Sequence, residues 1–267
     1  MTDGYRHLPG VADNAAHMVA PASLLLSFPL ACAALLALAL LAGCSAPAHT
    51  ARGEVKGAST TTGELAQSDV NRMATLAMRD NLASLYLLMD KLYRRNPAEW
   101  RKGGAASREQ AMEQVRAAIE QRQAWAPLQG RRDIAALALA LAPEFAGDRV
   151  AAFTVATADM LVTAHGGKTE FFLLDSLDAQ HLYNAARNVE SAVWLLAQRR
   201  NAAGQPLLLA DEIGPGGRNL SFEREFGKLI ARLDLLAVVV TEKYRRAAIS
   251  YVQGIVGATF LQFLPVR

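Results

Sequence analysis

The sequence predicts an all-α protein, a single bundle of about six or seven helices lying behind a secretory leader and a flexible tether. Three observations carry this prediction. Apolar residues recur three and four apart through most of the chain after Ser68. Most of these stretches open at a Ser or Asp suited to an N-cap. Most also stop at Pro or Gly, the residues that break a helix.

The first helix spans 68–95, with Leu82, Leu85, Met89 and Leu92 on one face and Leu88 beside them. Asn96-Pro97 ends it, because the residue before proline avoids the α region. Ser107-Arg108-Glu109-Gln110 reads as a capping box opening a second helix that reaches about Ala126. Pro127 and Gly130 break that helix. Asp133 to Ala142 forms a short apolar helix, although Leu137, Leu139 and Leu141 alternate in a way a strand would also satisfy. Asp148 begins a fourth helix, closed by His165-Gly166-Gly167. Ser176 or Asp178 caps a fifth, with Leu182, Ala186, Val189, Val193 and Leu196 on one side, and Gly204 and Pro206 follow it. Ser221 caps the sixth, whose stripe is Phe222, Phe226, Leu229, Leu233, Leu236, Val240 and Tyr244. The last stretch, 247–266, has no charge, and it is expected to be the buried centre of the bundle. An exposed membrane or partner contact is the alternative.

The region before this domain has a different character. No Lys, Arg, Asp or Glu occurs between Asp13 and Arg52, and Leu24 to Leu41 is nearly all apolar. An apolar segment ending in small residues is the pattern of a secretory signal. Its last residues, Leu41-Ala42-Gly43-Cys44, resemble the lipobox of bacterial lipoproteins. The resemblance implies cleavage before Cys44 and acylation of its thiol, for instance by palmitate. Ser45 follows in place of Asp, which by the same resemblance implies sorting to the outer membrane, on its periplasmic side. The basic region that opens such signals is thin here, with Arg6 alone, and either Met1 or Met18 could be the start.

The expected organisation is therefore a signal peptide at 1–43, an acylated Cys44 and tether at 44–67, and a helical domain at 68–267. The tether is rich in Ala, Ser, Thr and Gly and would reach roughly 25 Å as a random coil. The two cysteines, Cys32 and Cys44, leave no thiol for a disulfide once the leader is removed and Cys44 is acylated. The chain carries 28 Lys+Arg against 25 Asp+Glu, a net charge of +3. The basic residues come as doublets near helix ends, which argues against a nucleic-acid partner.

No pattern of residues predicts catalysis. Gly167-Lys168-Thr169 resembles the end of a phosphate loop, but Val162 stands where that loop needs glycine, and a helix precedes it instead of a strand. His49, His165 and His181 are too widely spaced for a metal site. No Gly-x-Ser-x-Gly elbow occurs. The carboxylates at Asp175 and Asp178, or at Asp211 and Glu212, read as caps and solvated charges. No cofactor is expected.

Two segments stand out. One runs from Arg79 through Lys91-Leu92-Tyr93-Arg94-Arg95 to Trp100-Arg101-Lys102, an aromatic and basic cluster. The other runs from Phe171 to Asn188, and in the helix it enters, Asn184, Arg187, Asn188 and Ser191 share one polar side. That side is either solvated surface or an interaction face. With its Leu-Tyr-Asn-Ala-Ala-Arg-Asn run, the domain resembles uncharacterised proteobacterial lipoproteins, a resemblance that implies no known activity. The expected function is a non-enzymatic envelope lipoprotein, held to the membrane through Cys44 and contacting another envelope protein. A carrier or sensor of an apolar ligand, motivated by the 52% hydrophobic content, and an enzyme of another type are the alternatives.

Overall fold

Helices account for nearly all the regular structure in the computed structural model. It describes residues 61–214 and 217–261, together with Gly57 and the two-residue strands at 49–50 and 53–54. Cys44, on which the lipidation expectation falls, lies outside the described residues. The chain divides into two compact units, Met1–Thr60 and Thr61–Arg267. Of the first, the description covers the antiparallel hairpin β1 (His49–Thr50) and β2 (Gly53–Glu54) with Gly57.

The second unit holds seven helices among its described residues: α1 (Asp69–Arg95), α2 (Pro97–Lys102), α3 (Arg108–Glu120), α4 (Asp133–Ala140), α5 (Arg149–Ala164), α6 (Ala179–Gln198) and α7 (Ser221–Leu261). A short hairpin of β3 (Glu212–Gly214) and β4 (Gly217–Asn219) joins α6 to α7. The unit begins at Thr61, earlier than the expected boundary at 68. Thr62–Ala66 forms a 3₁₀ turn, the Ala66 carbonyl accepts from Leu173 N (2.7 Å), and Glu64 pairs with Arg72. The end of the expected tether is thereby part of the fold.

The caps largely follow the sequence. Ser68 Oγ accepts from Asn71 N, Asp148 Oδ1 from Ala151 N, and Asp178 Oδ1 from Gln180 N and His181 N. Ser107 Oγ accepts from Gln110 N, but Gln110 Oε1 reaches back to Ala106 N instead of the cap's own amide. Asn96 ends α1, yet Pro97 starts α2 at once, since proline's fixed φ suits a first helical turn. Helix α3 stops at Glu120, six residues short of Ala126, because Arg122 turns left-handed (φ 54°) and Gln123 N donates to Ala118 O. The 133–142 segment is helical, and Leu137 and Leu141 both enter the core. Ser221 is already inside α7 and does not cap it; Asn219 Oδ1 and Asp211 Oδ1 accept from Ser221 N and Phe222 N.

The centre of the bundle is α5, not the C-terminal stretch. Its first ten residues are all buried, and α1, α2, α3, α4 and α6 pack around it. Ala151, Ala152, Ala156 and Ala158 let neighbours approach from every side, and Phe153 meets Phe226 edge-on with centroids 6.2 Å apart. Helices α6 and α7 pack antiparallel along the buried stripe Phe222, Phe226, Leu229, Leu233, Leu236 and Val240. The stripe leaves the core at Tyr244, which is 53% exposed. Helix α7 then continues with no break to Leu261, into the segment 247–266 that was expected to be the core and whose residues 262–266 lie outside the described residues. At 41 residues it spans about 60 Å and outruns α6, which has 20 residues, and α1, which has 27. Every described side chain from Lys243 to Val256 is exposed. The expectation failed because a neutral helix is buried only where neighbours reach it.

A buried polar knot pins α5 to the rest. Tyr93 Oη donates to Asp148 Oδ2 (2.8 Å), and Glu99 Oε2 accepts from Arg149 N (2.8 Å), so two carboxylates sit at the α5 N-terminus. The Arg149 guanidinium donates to the carbonyls of Ala140, Ala142 and Phe145, closing the C-terminal end of α4. Burial pushes the Asp148 carboxyl and the Tyr93 phenol up, and it pushes Arg149 down. All three partly offset that cost through these bonds. Arg149→Ala is therefore expected to cost about 3–5 kcal/mol, because it leaves three carbonyls unpaired and empties buried volume. Arg149→Lys should recover little, since an ammonium cannot span the same fork. Urea unfolding midpoints of the two variants beside the parent measure this.

Candidate functional site

Helix α6 is built from opposite faces. Leu182, Ala185, Ala186, Val189, Ala192 and Leu196 are buried against α5 and α7. The outer arc carries Tyr183, Asn184, Arg187, Asn188, Ser191 and Trp194. The four polar residues singled out from sequence do lie on this arc, but Asn184 and Asn188 line one groove, Arg187 lines another and Ser191 lines neither.

The first groove, of about 380 Å³, lies between α4, α5 and α6. Asn184, Asn188 and His181 line it from α6, Arg132 and Asp133 from the start of α4, and Thr163 from α5. Its floor is apolar, made by Met160, Ala164 and Ala185. Arg132 grips Asp159 through both Nε (3.2 and 3.1 Å) and Nη2 (2.5 Å), and it also reaches Thr163 Oγ1 (3.3 Å). Asp159 Oδ2 in turn accepts from Asp133 N (3.3 Å). This bond holds Asp133 in the left-handed region at φ 50°, a conformation that costs energy for a residue with a Cβ. Partial burial and then the Asp159 charge raise the Asp133 carboxyl above the usual range, against the pull of Arg132.

The second groove, of about 510 Å³, lies between α6 and α7 and is lined by Tyr183, Arg187, Asp234, Val238, Thr241 and Glu242 among others. Arg187 Nη2 donates to Asp234 Oδ2 (2.7 Å) and lies near Glu190 (3.1 Å), while its guanidinium sits over the Tyr183 ring at 5.0 Å. Asp234 Oδ1 is buried with no hydrogen-bond partner. Asn184 Oδ1 accepts from Gln180 Nε2, and Ser191 Oγ donates to the Arg187 carbonyl, so Ser191 enters neither groove.

Sequence reasoning missed Arg132, Asp133, Asp159 and Asp234 as partners of this face. Asp159 left a signal: between Val150 and Ala164 it is the one charged residue. The left-handed turn at Asp133 left none. The other features have structural roles. Gly166 and Gly167, both at positive φ, cap α5, and Lys168 pairs with Asp175, as a helix end and not a phosphate cradle. The aromatic and basic cluster is used for packing: Lys91 lies over Phe222 (4.7 Å), Arg101 over Trp100 (4.6 Å), and Arg95 pairs with Glu212 (2.8 Å). Among the described residues no group of three or more His, Cys, Asp or Glu could hold a metal ion.

Taken together, the arc offers hydrogen-bond donors and acceptors around apolar hollows. The Asp159 carboxylate is engaged by Arg132 and by the Asp133 backbone amide. The chemistry this supports is recognition of a surface that presents both polar and apolar groups.

Behind the first groove, His165 is buried against Phe171, with Nδ1 on the Leu161 carbonyl (2.8 Å) and Nε2 unpartnered. Burial holds its pKa below the ordinary value of 6.5, although the carbonyl pulls the other way. Above that pH the ring is neutral in both folded and unfolded chains and adds no pH dependence. Below it the unfolded chain takes up a proton that the folded one refuses, so stability falls as pH drops, by at most about 1.4 kcal/mol per pH unit. His165→Leu should therefore keep more of its pH 7 stability at pH 5.5 than the parent does. Urea midpoints at the two pH values check this.

Compared with protein-family models, curated proteins and solved structures, the chain matches none.

Proposed function

We propose that this chain is a non-enzymatic envelope lipoprotein, tethered through Cys44 to the periplasmic side of the outer membrane, whose α6 arc contacts another envelope protein. The anchor rests on Leu41-Ala42-Gly43-Cys44 after its apolar segment. The observation that carries the contact is the outer stripe of α6. Tyr183, Arg187 and Trp194 stand four and seven residues apart, so they line one side of the helix. Tyr183 is 47% and Trp194 62% exposed, and the stripe runs beside the hydrogen-bonding Asn184 and Asn188.

Trp, Tyr and Arg are the residues that dominate binding energy at protein interfaces. They lose little entropy on docking when their backbone is a rigid helix. Here α6 is fixed by its buried face, by the Asp178 cap and by the Arg187–Asp234 bridge to α7. The apolar floor of the first groove adds complementarity beside the stripe.

Two experiments test the two halves of this reading. Cys44→Ala should abolish incorporation of labelled fatty acid; retained label rejects the anchor. A photo-crosslinker at position 194 in intact cells should trap one dominant envelope protein. Trp194→Ala should then weaken purified binding to that protein by about thirtyfold or more, with the melting temperature unchanged because the side chain is exposed. Undiminished binding in Trp194→Ala and in Tyr183→Ala would exclude α6 as the contact.

A further inference from the structure

We propose that α7 beyond Arg246 is a membrane-contacting segment. Its side chains enter the interfacial region of a bilayer containing anionic lipid, while Lys243 and Arg246 remain among the headgroups. This contact goes beyond the α6 platform and is separate from acylation, because the polypeptide itself makes it.

The argument begins with charge. No Lys, Arg, Asp or Glu occurs between Arg246 and Arg267, although the helical part of this run is fully exposed as far as its side chains are described. A surface helix that packs on one protein face keeps charged residues on its other side. Here the neutral character goes all the way round. Ile249 and Tyr251 are two residues apart, which puts them on opposite sides of the helix, and they are 39% and 72% exposed. Val252 and Val256, one turn apart, cover the flank between them at 58% and 61% exposure. A second helix or a protein groove would cover one stripe and leave the rest in water. A lipid interface accepts the whole neutral circumference.

The basic residues give the orientation. Glu242, Lys243, Arg245 and Arg246 occupy a little more than one turn at the start of the run. Arg245 donates to Glu242 through Nε (2.8 and 2.9 Å) and Nη2 (2.5 Å), which cancels that pair. Lys243 and Arg246 make no ion pair among the described residues. Two cations without an ion pair beside an uncharged helix, with Tyr244 between them and Tyr251 following, form the pattern of a lipid–water boundary. No described helix is long and apolar enough to cross a membrane. Ser250, Gln253, Gly254 and Gly257 interrupt the apolar run. The contact is therefore interfacial.

Flotation of residues 61–267 with vesicles tests this. That unit contains the described core and omits Cys44, so a failure of the acylation reading cannot affect the result. The protein should float with phosphatidylcholine vesicles containing one quarter phosphatidylglycerol, and at least tenfold less well with phosphatidylcholine alone. Lys243→Ala with Arg246→Ala should weaken anionic binding by roughly 25-fold, about fivefold for each charge. Val252→Asp with Val256→Asp should abolish flotation on both vesicles and leave the thermal melt unchanged. The proposal is overturned if the parent does not float, or if the aspartate variant floats as well as the parent. A lowered melt in the aspartate variant would place the segment in the core and also overturn it. A concentration-dependent dimer without flotation, lost in the aspartate variant, would assign the segment to a second copy instead.

Discussion

The position of Arg149 is the constraint on which most of the bundle depends. Its guanidinium is buried and donates to the carbonyls of Ala140, Ala142 and Phe145, while its amide is held by Glu99. One residue thereby fixes the end of α4, the turn after it, the start of α5 and the placement of α2. A guanidinium removed from water is costly unless every donor direction finds an oxygen. The last residue of α4 and the turn at 141–148 supply those oxygens. Asp148 does the same for the other end of the network, accepting from Ala151 N and from Tyr93 on α1. With α5 anchored in this way, its alanine-rich surface can be enclosed by five helices, with Thr154 and Thr157 bonded back to the Val150 and Phe153 carbonyls.

The enclosure of α5 explains the two exposed features. Space at the centre is filled by a 16-residue helix rich in alanine, so the apolar C-terminal stretch has no place there. Helix α7 can follow the core only as far as α6 and α1 reach, and Val240 is the last buried position of its stripe. The hydrogen-bonding rules that propagate a helix are local, so it continues past its partners. In the same way α6 is covered on one side by α5 and α7, which leaves its Tyr183, Arg187 and Trp194 edge in water.

The sequence was legible wherever a local rule decides the outcome. The 3.6-residue period located α1, α6 and the first half of α7, start and stop residues located α5, and the caps at Ser68, Ser107, Asp148 and Asp178 are where side-chain chemistry puts them. It was not legible where tertiary contacts decide. Arg122 and Asp133 adopt positive φ with no glycine to announce it. Asp211 and Asn219 cap α7 in place of Ser221, because the β3–β4 hairpin brings them there. The neutral run at 247–266 shows the same limit most clearly: composition says that a segment avoids charge, and says nothing about which surroundings make that favourable. Of the α6 site, the polar arc was readable from spacing, but its division into two grooves depends on Arg132 and Asp234, which come from other helices.

The division of α6 into two grooves has a physical consequence for recognition. Arg187 is engaged by Asp234, Glu190 and the Tyr183 ring, so its charge is largely compensated and its side chain held in one place. Asn184 and Asn188, by contrast, present amides to the first groove, where the Arg132–Asp159 pair is likewise compensated. A partner approaching this arc meets little net charge, and long-range steering contributes little to its association. For the contact proposed above, selectivity would then rest on shape and on matching hydrogen bonds, both of which require that the helix not move. The buried face of α6 and its bridge to α7 provide that rigidity. The exposed end of α7 lies beyond the last buried turn, so it can respond to its surroundings while the α6 arc keeps its geometry.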